Sequence, residues 1–190
     1  MNKKKEIDDF FDTSQEIIIK SKSLSSIIEI VSNKIIKCIN SNKKVIIFGN
    51  GGSAADAQHF AAEFIGRFLK ERSSFPAIAL TTDTSILTAL GNDYGFEKIF
   101  SRQCESLVKP GDIVIGISTS GNSSNVINGI KTAKKLGALT VSLTGKTGGK
   151  LKNFSDITIM SPSNETPHIQ ESQRVIIHII CYLVEKYSKN

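Results

Sequence analysis

The spacing of apolar and polar positions changes near residue 44. Residues 5–41 contain neither Gly nor Pro. Within them Ile17, Ile18, Ile28, Val31, Ile35, Ile36 and Ile39 recur at helical spacing, which predicts two helices with a break near Ser21–Ser25. From residue 44 onward short β-branched runs take over, at Lys44–Phe48, Ala77–Leu80, Asp112–Ile117, Leu139–Leu143 and Asp156–Met160. Each of the first four ends in Gly, Ser, Thr or Asp and leads into a helix-like segment, over 53–70, 84–107, 122–136 and 148–154. The last run leads through SPSNETPH to a helix over 168–187. Strands alternating with helices predict an α/β fold, a three-layer α/β/α sandwich around a five-stranded parallel sheet with right-handed crossovers. In such folds ligands bind at the carboxyl ends of the strands, where the direction of travel across the sheet switches.

Composition sharpens this picture. A chain of 190 residues with 39% hydrophobic content suits a single domain over 1–190, with 5–41 as an N-terminal helical extension. The net charge of +6 is spread along the chain, and the densest basic cluster is only Lys3-Lys4-Lys5. No nucleic-acid partner is therefore expected, whereas a mild positive field favours an anionic metabolite. Cys38, Cys104 and Cys181 are far apart and form no CxxC, so the expectation is reduced thiols and a cytoplasmic location, without a disulfide framework or a thiolate zinc site. The start, MNKKKEIDDFFDTSQE, lacks the apolar core of a signal peptide, and no membrane association is expected.

Two loops carry candidate chemistry. The first, Gly49-Asn50-Gly51-Gly52-Ser53-Ala54, follows a strand, opens a helix and formally matches the dinucleotide pattern GxGxxA. That pattern also wants an acidic residue about 20 positions on. The second strand here, PAIALTTD, ends in Asp83, more than 30 positions on, which weakens the dinucleotide reading. The plain alternative is a tight turn that needs glycine for its backbone. The second loop, GISTSGNSSNVI over 116–127, places Ser118, Thr119, Ser120 and Ser123 at the start of a helix, with Gly121 allowing close backbone approach. A helix cap needs one hydroxyl. Four hydroxyls with the helix N-terminus make an anion site without a lysine, suited to a sugar phosphate.

Ionisable residues follow. His59 and Glu63 stand one helical turn apart and share a face. Gln170 and His178 lie eight residues apart on the last helix and share a broad face. Their neighbours Ile169, Val175, Ile176, Ile177, Ile179 and Ile180 are apolar, so a core histidine is the simpler reading of His178 from pattern alone. His59, Glu63, Gln170 and His178 together also form a nitrogen and oxygen donor set that suits one zinc ion.

The segments FGNGGSAADAQHFAAEFIGRF, PAIALTTD, ALGNDYGFEKIFSRQ, GDIVIGISTSGNSSNVI, TGKTGGKL and TPHIQESQRVIIHIICYLVE resemble the sugar-isomerase (SIS) domain family, and within it the phosphoheptose isomerases. The resemblance runs from about residue 5 to 187. It implies a flavodoxin-like sheet and an aldose–ketose isomerase that converts sedoheptulose 7-phosphate to an aldoheptose 7-phosphate through an enediol. Glu63 is implied as the proton-abstracting base and His178 as its partner. Asn50, Gly51, Gly52, Ser53, Asn92, Asp93, Ser118, Thr119, Ser120, Ser123 and Gln170 are implied to bind substrate, and His59, Glu63, Gln170 and His178 to hold zinc. Asn92 and Asp93 read equally well as turn residues. Arg67 falls where the family keeps an arginine near the site, with a surface ion pair as the alternative. The chain departs from the family pattern at Gln173, where a second histidine is frequent, and at Pro167-His168. The resemblance further implies a homotetramer that packs through the 5–41 helices, with sites at subunit boundaries. The rival reading is a non-catalytic SIS-domain protein. It is either one that binds the replication initiator DnaA, regulators that lack the Glu and the late His, or one that senses a sugar phosphate, which usually carries an added DNA-binding domain that residues 1–40 do not resemble.

Overall fold

The computed structural model describes residues 2–189; Met1 and Asn190, the outermost positions of the expected single domain, lie outside them. Helices α1 (Lys3–Lys20) and α2 (Ser25–Asn40) are joined by a 3-10 turn at Ser21–Leu24, where the break was expected. Then follow β1 (Val45–Gly49), α3 (Gly52–Ile65), β2 (Ala77–Ala79), α4 (Thr84–Tyr94), α5 (Ile99–Leu107), β3 (Ile113–Ser118), α6 (Ser124–Lys135), β4 (Leu139–Thr144), β5 (Ile157–Met160) and α7 (Thr166–Tyr187). Pro167 sits in the first turn of α7, where a missing N–H costs nothing.

Three helical expectations are corrected. The first helix after β1 ends at Ile65 and does not reach 70, because Gly66 follows and the chain leaves for an irregular connection. The segment 84–107 is two helices separated by a 3-10 turn at Phe96–Lys98, since Gly95 adopts φ +88, which a helix cannot continue through. The segment 148–154 holds only a 3-10 turn, Leu151–Asn153, because Gly148-Gly149 interrupts it.

The five strands form one all-parallel sheet in the order β2-β1-β3-β4-β5. Alternate residues point to opposite faces. Val45, Ile47, Ile113, Ile115 and Ile117 join a core with Phe60 and Phe64 of α3, Ile28 and Ile35 of α2, and Ile176, Ile177 and Ile180 of α7. Ile46, Phe48 and Val114 pack on the other side with Phe100 of α5 and Val126 and Ile130 of α6. The sheet is thus covered on both faces, which is why its strands read as nearly unbroken apolar runs. Each fully buried isoleucine or phenylalanine contributes about 1.5–3 kcal/mol. Because α2 buries Ile28, Val31, Ile35 and Ile39, it belongs to this core, whereas α1 buries only Ile17.

Strand order positions the site. From β1 the chain steps outward to β2, and from β3 it steps the opposite way to β4. The loops that follow β1 and β3 therefore part from each other and leave a crevice at their carboxyl ends.

Candidate active site

The loop after β1 crosses the crevice through Asn50. Its side-chain amide donates to Asn125 Oδ1 at 2.9 Å, and the Asn125 amide donates back to Asn50 Oδ1 at 2.8 Å. Asn125 is buried in the first turn of α6, and its Oδ1 also accepts from the N–H of Val126. The amide of Asn50, expected to face a sugar, is thus engaged in holding the two crevice loops together. Gly51 and Gly52 are exposed at the start of α3, and Ser53 is buried beneath Gly49.

Helices α3 and α7 run side by side, and their contacts advance in step. A Cβ at Gly52 would collide with the side-chain amide of Gln170. One turn on, Asp56 pairs with Arg174. One turn further, His59 Nε2 lies 2.9 Å from His178 Nε2. Glu63 Oε1 stands 3.6 Å from that same His59 nitrogen. The last helix, whose apolar neighbours favour a core histidine, therefore presents His178 and Gln170 to α3, and Phe68 closes over the His178 ring at a centroid distance of 5.8 Å.

Electrostatics sets the protonation. Burial, then the nearby Arg174 guanidinium, pull His59 below the ordinary imidazole range; Glu63 opposes and His178 adds to the lowering. Two imidazole nitrogens at 2.9 Å cannot both present lone pairs, so one carries a proton and donates, or a cation joins them. Burial pushes the Asp56 carboxyl up, against the pull of Arg174.

The loop after β3 divides its hydroxyls. Ser118 and Ser123 bond each other at 3.0 Å. Ser123 is the N-cap of α6, yet its hydroxyl bonds no N–H of the first turn. Ser120 Oγ accepts from the N–H of Asn122 at 3.1 Å, and Thr119 is half-buried beside them. Capping by Ser123 thus does not explain this cluster; of the first-turn N–H groups of α6, that of Val126 is taken by Asn125 Oδ1.

The fold and the paired helices can be compared with known proteins. The SIS domain family model matches residues 9–145. A phosphoheptose isomerase of Aquifex aeolicus is 59% identical over 156 residues, covering 82% of each chain. The chain belongs to the SIS domain family, among the phosphoheptose isomerases. Solved phosphoheptose isomerases superpose closely. The one from Francisella tularensis gives a TM-score of 0.95 at 35% identity over 98% of this chain and 100% of that one. The one from Neisseria gonorrhoeae gives 0.91 at 38% identity, over 96% and 98%.

Within this isomerase fold not every expected residue joins the cluster. Asn92 and Asp93 lie exposed at the end of α4, in a helix and not a turn, and among the described residues their side chains bond each other at 2.8 Å. Arg67 is exposed and pairs loosely with Glu71 at 3.8 Å. Sequence reading passed over Asn125, Asp56, Arg174, Arg72 and Glu185. Asn125 stood within the SSNVI segment, but an asparagine near a helix start carries no signal of a partner 75 positions away.

Proposed function

We infer that this isomerase acts on sedoheptulose 7-phosphate and yields D-glycero-D-manno-heptose 7-phosphate, the first step toward nucleotide-activated heptose. The observation that carries the reading is the meeting of His178 with His59 at 2.9 Å, one turn from Glu63. In a single chain it aims a carboxylate and an imidazole from two distant helices at one place.

The phosphate rests on the Thr119–Ser123 loop and the α6 N-terminus, which leaves C1 and C2 toward α3. The Glu63 carboxylate takes a proton from C1 of the open-chain ketose while His178 protonates the C2 oxygen, forming the enediol. Glu63 returns its proton to C2, and His178, having given its proton to the C2 oxygen, takes the O1 proton as the aldehyde forms, so both groups end as they began. A positioned acid or base of this kind gives roughly 10²–10⁴-fold each. His59, neutral at pH 7, orients both partners by sharing one proton with His178.

Part of the donor set suits zinc: two imidazole nitrogens face each other beside a carboxylate oxygen, while the Gln170 amide lies against Gly52, two turns back along α3, and would have to swing toward them. His59, Glu63, Gln170 and His178 would hold it, and the ion would polarise the carbonyl as a Lewis acid. Apolar side chains left exposed on α1 and α7, among them Phe10, Phe11, Ile179 and Tyr182, support a homotetramer that covers them. Among the described residues no helix is long and apolar enough to cross a membrane, and cytoplasmic residence accords with the three reduced thiols.

The test is direct. Purified protein incubated with sedoheptulose 7-phosphate should produce aldoheptose 7-phosphate signals by NMR. Binding without turnover, combined with capture of DnaA, would transfer the chain to the non-catalytic reading.

A further inference from the structure

The connection from α3 to β2, residues 66–76, is held by a buried pair far from the crevice loops. Arg72 and Glu185 have side chains only 2% and 3% exposed, with Nε 3.4 Å from Oε1. Glu185 accepts three backbone N–H groups, from Phe68 at 2.9 Å, Leu69 at 2.9 Å and Lys70 at 3.0 Å. Arg72 donates to the carbonyls of Glu63 at 2.8 Å, Phe64 at 2.9 Å, Gly66 at 3.2 Å and Ser73 at 2.9 Å, and its guanidinium lies 3.9 Å over the Phe75 ring.

Two of these carbonyls belong to the last turn of α3, where a helix leaves its carbonyls unpaired. Arg72 is therefore the C-terminal cap of α3, with its cation at the negative end of the dipole. One of the carbonyls it holds is that of Glu63 itself. On the other side, Glu185 follows His178 by seven residues and so lies on the same face of α7. The face of α7 that meets His59 is thus pinned, two turns on, to the residue that caps the turn carrying Glu63.

We propose that Arg72 and Glu185 are positioning residues for the isomerase reaction, locking the last turn of α3 against α7 so that the Glu63 carboxylate and the His178 imidazole keep their separation. Neither touches the reacting atoms. The guanidinium is suited to this role because its planar fork serves four carbonyls at once, and a lysine ammonium has only three donors from one point. This inference rests on Glu63 and His178 being the acid–base pair.

The experiment compares Arg72→Lys and Glu185→Gln with the wild-type enzyme, at a temperature where circular dichroism shows each fully folded. Two readouts are taken: kcat and KM for sedoheptulose 7-phosphate, and the 15N resonances of the His59 and His178 rings. Positioning predicts a fall in kcat of at least tenfold for Arg72→Lys, a smaller fall for Glu185→Gln, KM within about twofold, and shifted ring resonances in both. Folded variants with wild-type kcat and unshifted rings overturn the inference, as does a loss confined to KM. Should Arg72→Lys fail to fold, the near-isosteric Glu185→Gln decides alone by the same criteria. If the wild-type protein does not turn over the sugar, the functional reading fails, and the ring resonances still decide whether the clamp sets the geometry.

Discussion

His59 and His178, 119 positions apart, face each other nitrogen to nitrogen at 2.9 Å. One is carried by the helix after the first strand and the other by the last helix, so their meeting joins the beginning and the end of the sheet's helical cover. Glu63 reaches the same nitrogen of His59 from one turn away.

Glu63 and His178 flank His59 within one chain, so the proposed acid–base pair is expected to come from a single subunit. Glu63→Gln and His178→Asn should each lower kcat by roughly 10²–10⁴-fold. Hybrid oligomers made by co-expressing the two variants should show no recovery. Activity approaching a quarter of wild type in the hybrids would place the pair across a subunit boundary.

Gly52 leaves room for Gln170 at the start of α3. In Gly52→Ala the new methyl displaces the far end of a flexible side chain, and helix propensity favours alanine by about 1 kcal/mol. The melting temperature should stay near wild type while kcat/KM falls at least tenfold. Loss of stability without loss of activity would show that Gln170 does not depend on this approach.

The Ser123 hydroxyl bonds Ser118 and not the first turn of α6. Ser123→Ala should therefore cost less than the roughly 1 kcal/mol of a lost helix cap, yet raise KM for the sugar phosphate and weaken inhibition by inorganic phosphate. Unchanged KM would remove Ser123 from the phosphate site.

Glu185 gives a pH signature. Burial raises its carboxyl, but the N–H groups of Leu69, Phe68 and Lys70, with Arg72, outweigh this and hold it below the ordinary range. The folded state thus releases this proton more readily than the unfolded chain. Its contribution to stability is complete above about pH 4.3, the ordinary glutamate value, and is lost as pH falls through the folded value. Glu185→Gln should flatten the acid limb of stability against pH in urea titrations. Glu185→Ala leaves Arg72 buried and unpaired and should cost about 3–5 kcal/mol.

Dialysis against a chelator should lower activity, with zinc restoring it and elemental analysis giving one ion per subunit. Full activity in protein shown to be free of metal would remove the ion from the reaction.

Much of this protein is written in local pattern. The short, nearly unbroken β-branched runs and the helical apolar period between them set strands and helices. Glycine and serine after β1 and β3 marked the two crevice loops, because turn geometry and helix starts depend on neighbouring residues. The i, i+4 spacing of His59 and Glu63 placed them on one face before any fold was known. Local pattern misjudged where α3 ends, and it joined α4 to α5 across Gly95, whose positive φ is decided by what surrounds it. What the tertiary structure alone decided were the pairings: His59 with His178, Asn50 with Asn125, Asp56 with Arg174 and Arg72 with Glu185. Each joins groups that periodicity treats as unrelated, because a buried polar side chain takes its partner from whatever the packed sheet and helices bring within hydrogen-bond reach, and that distance is not encoded in spacing along the chain.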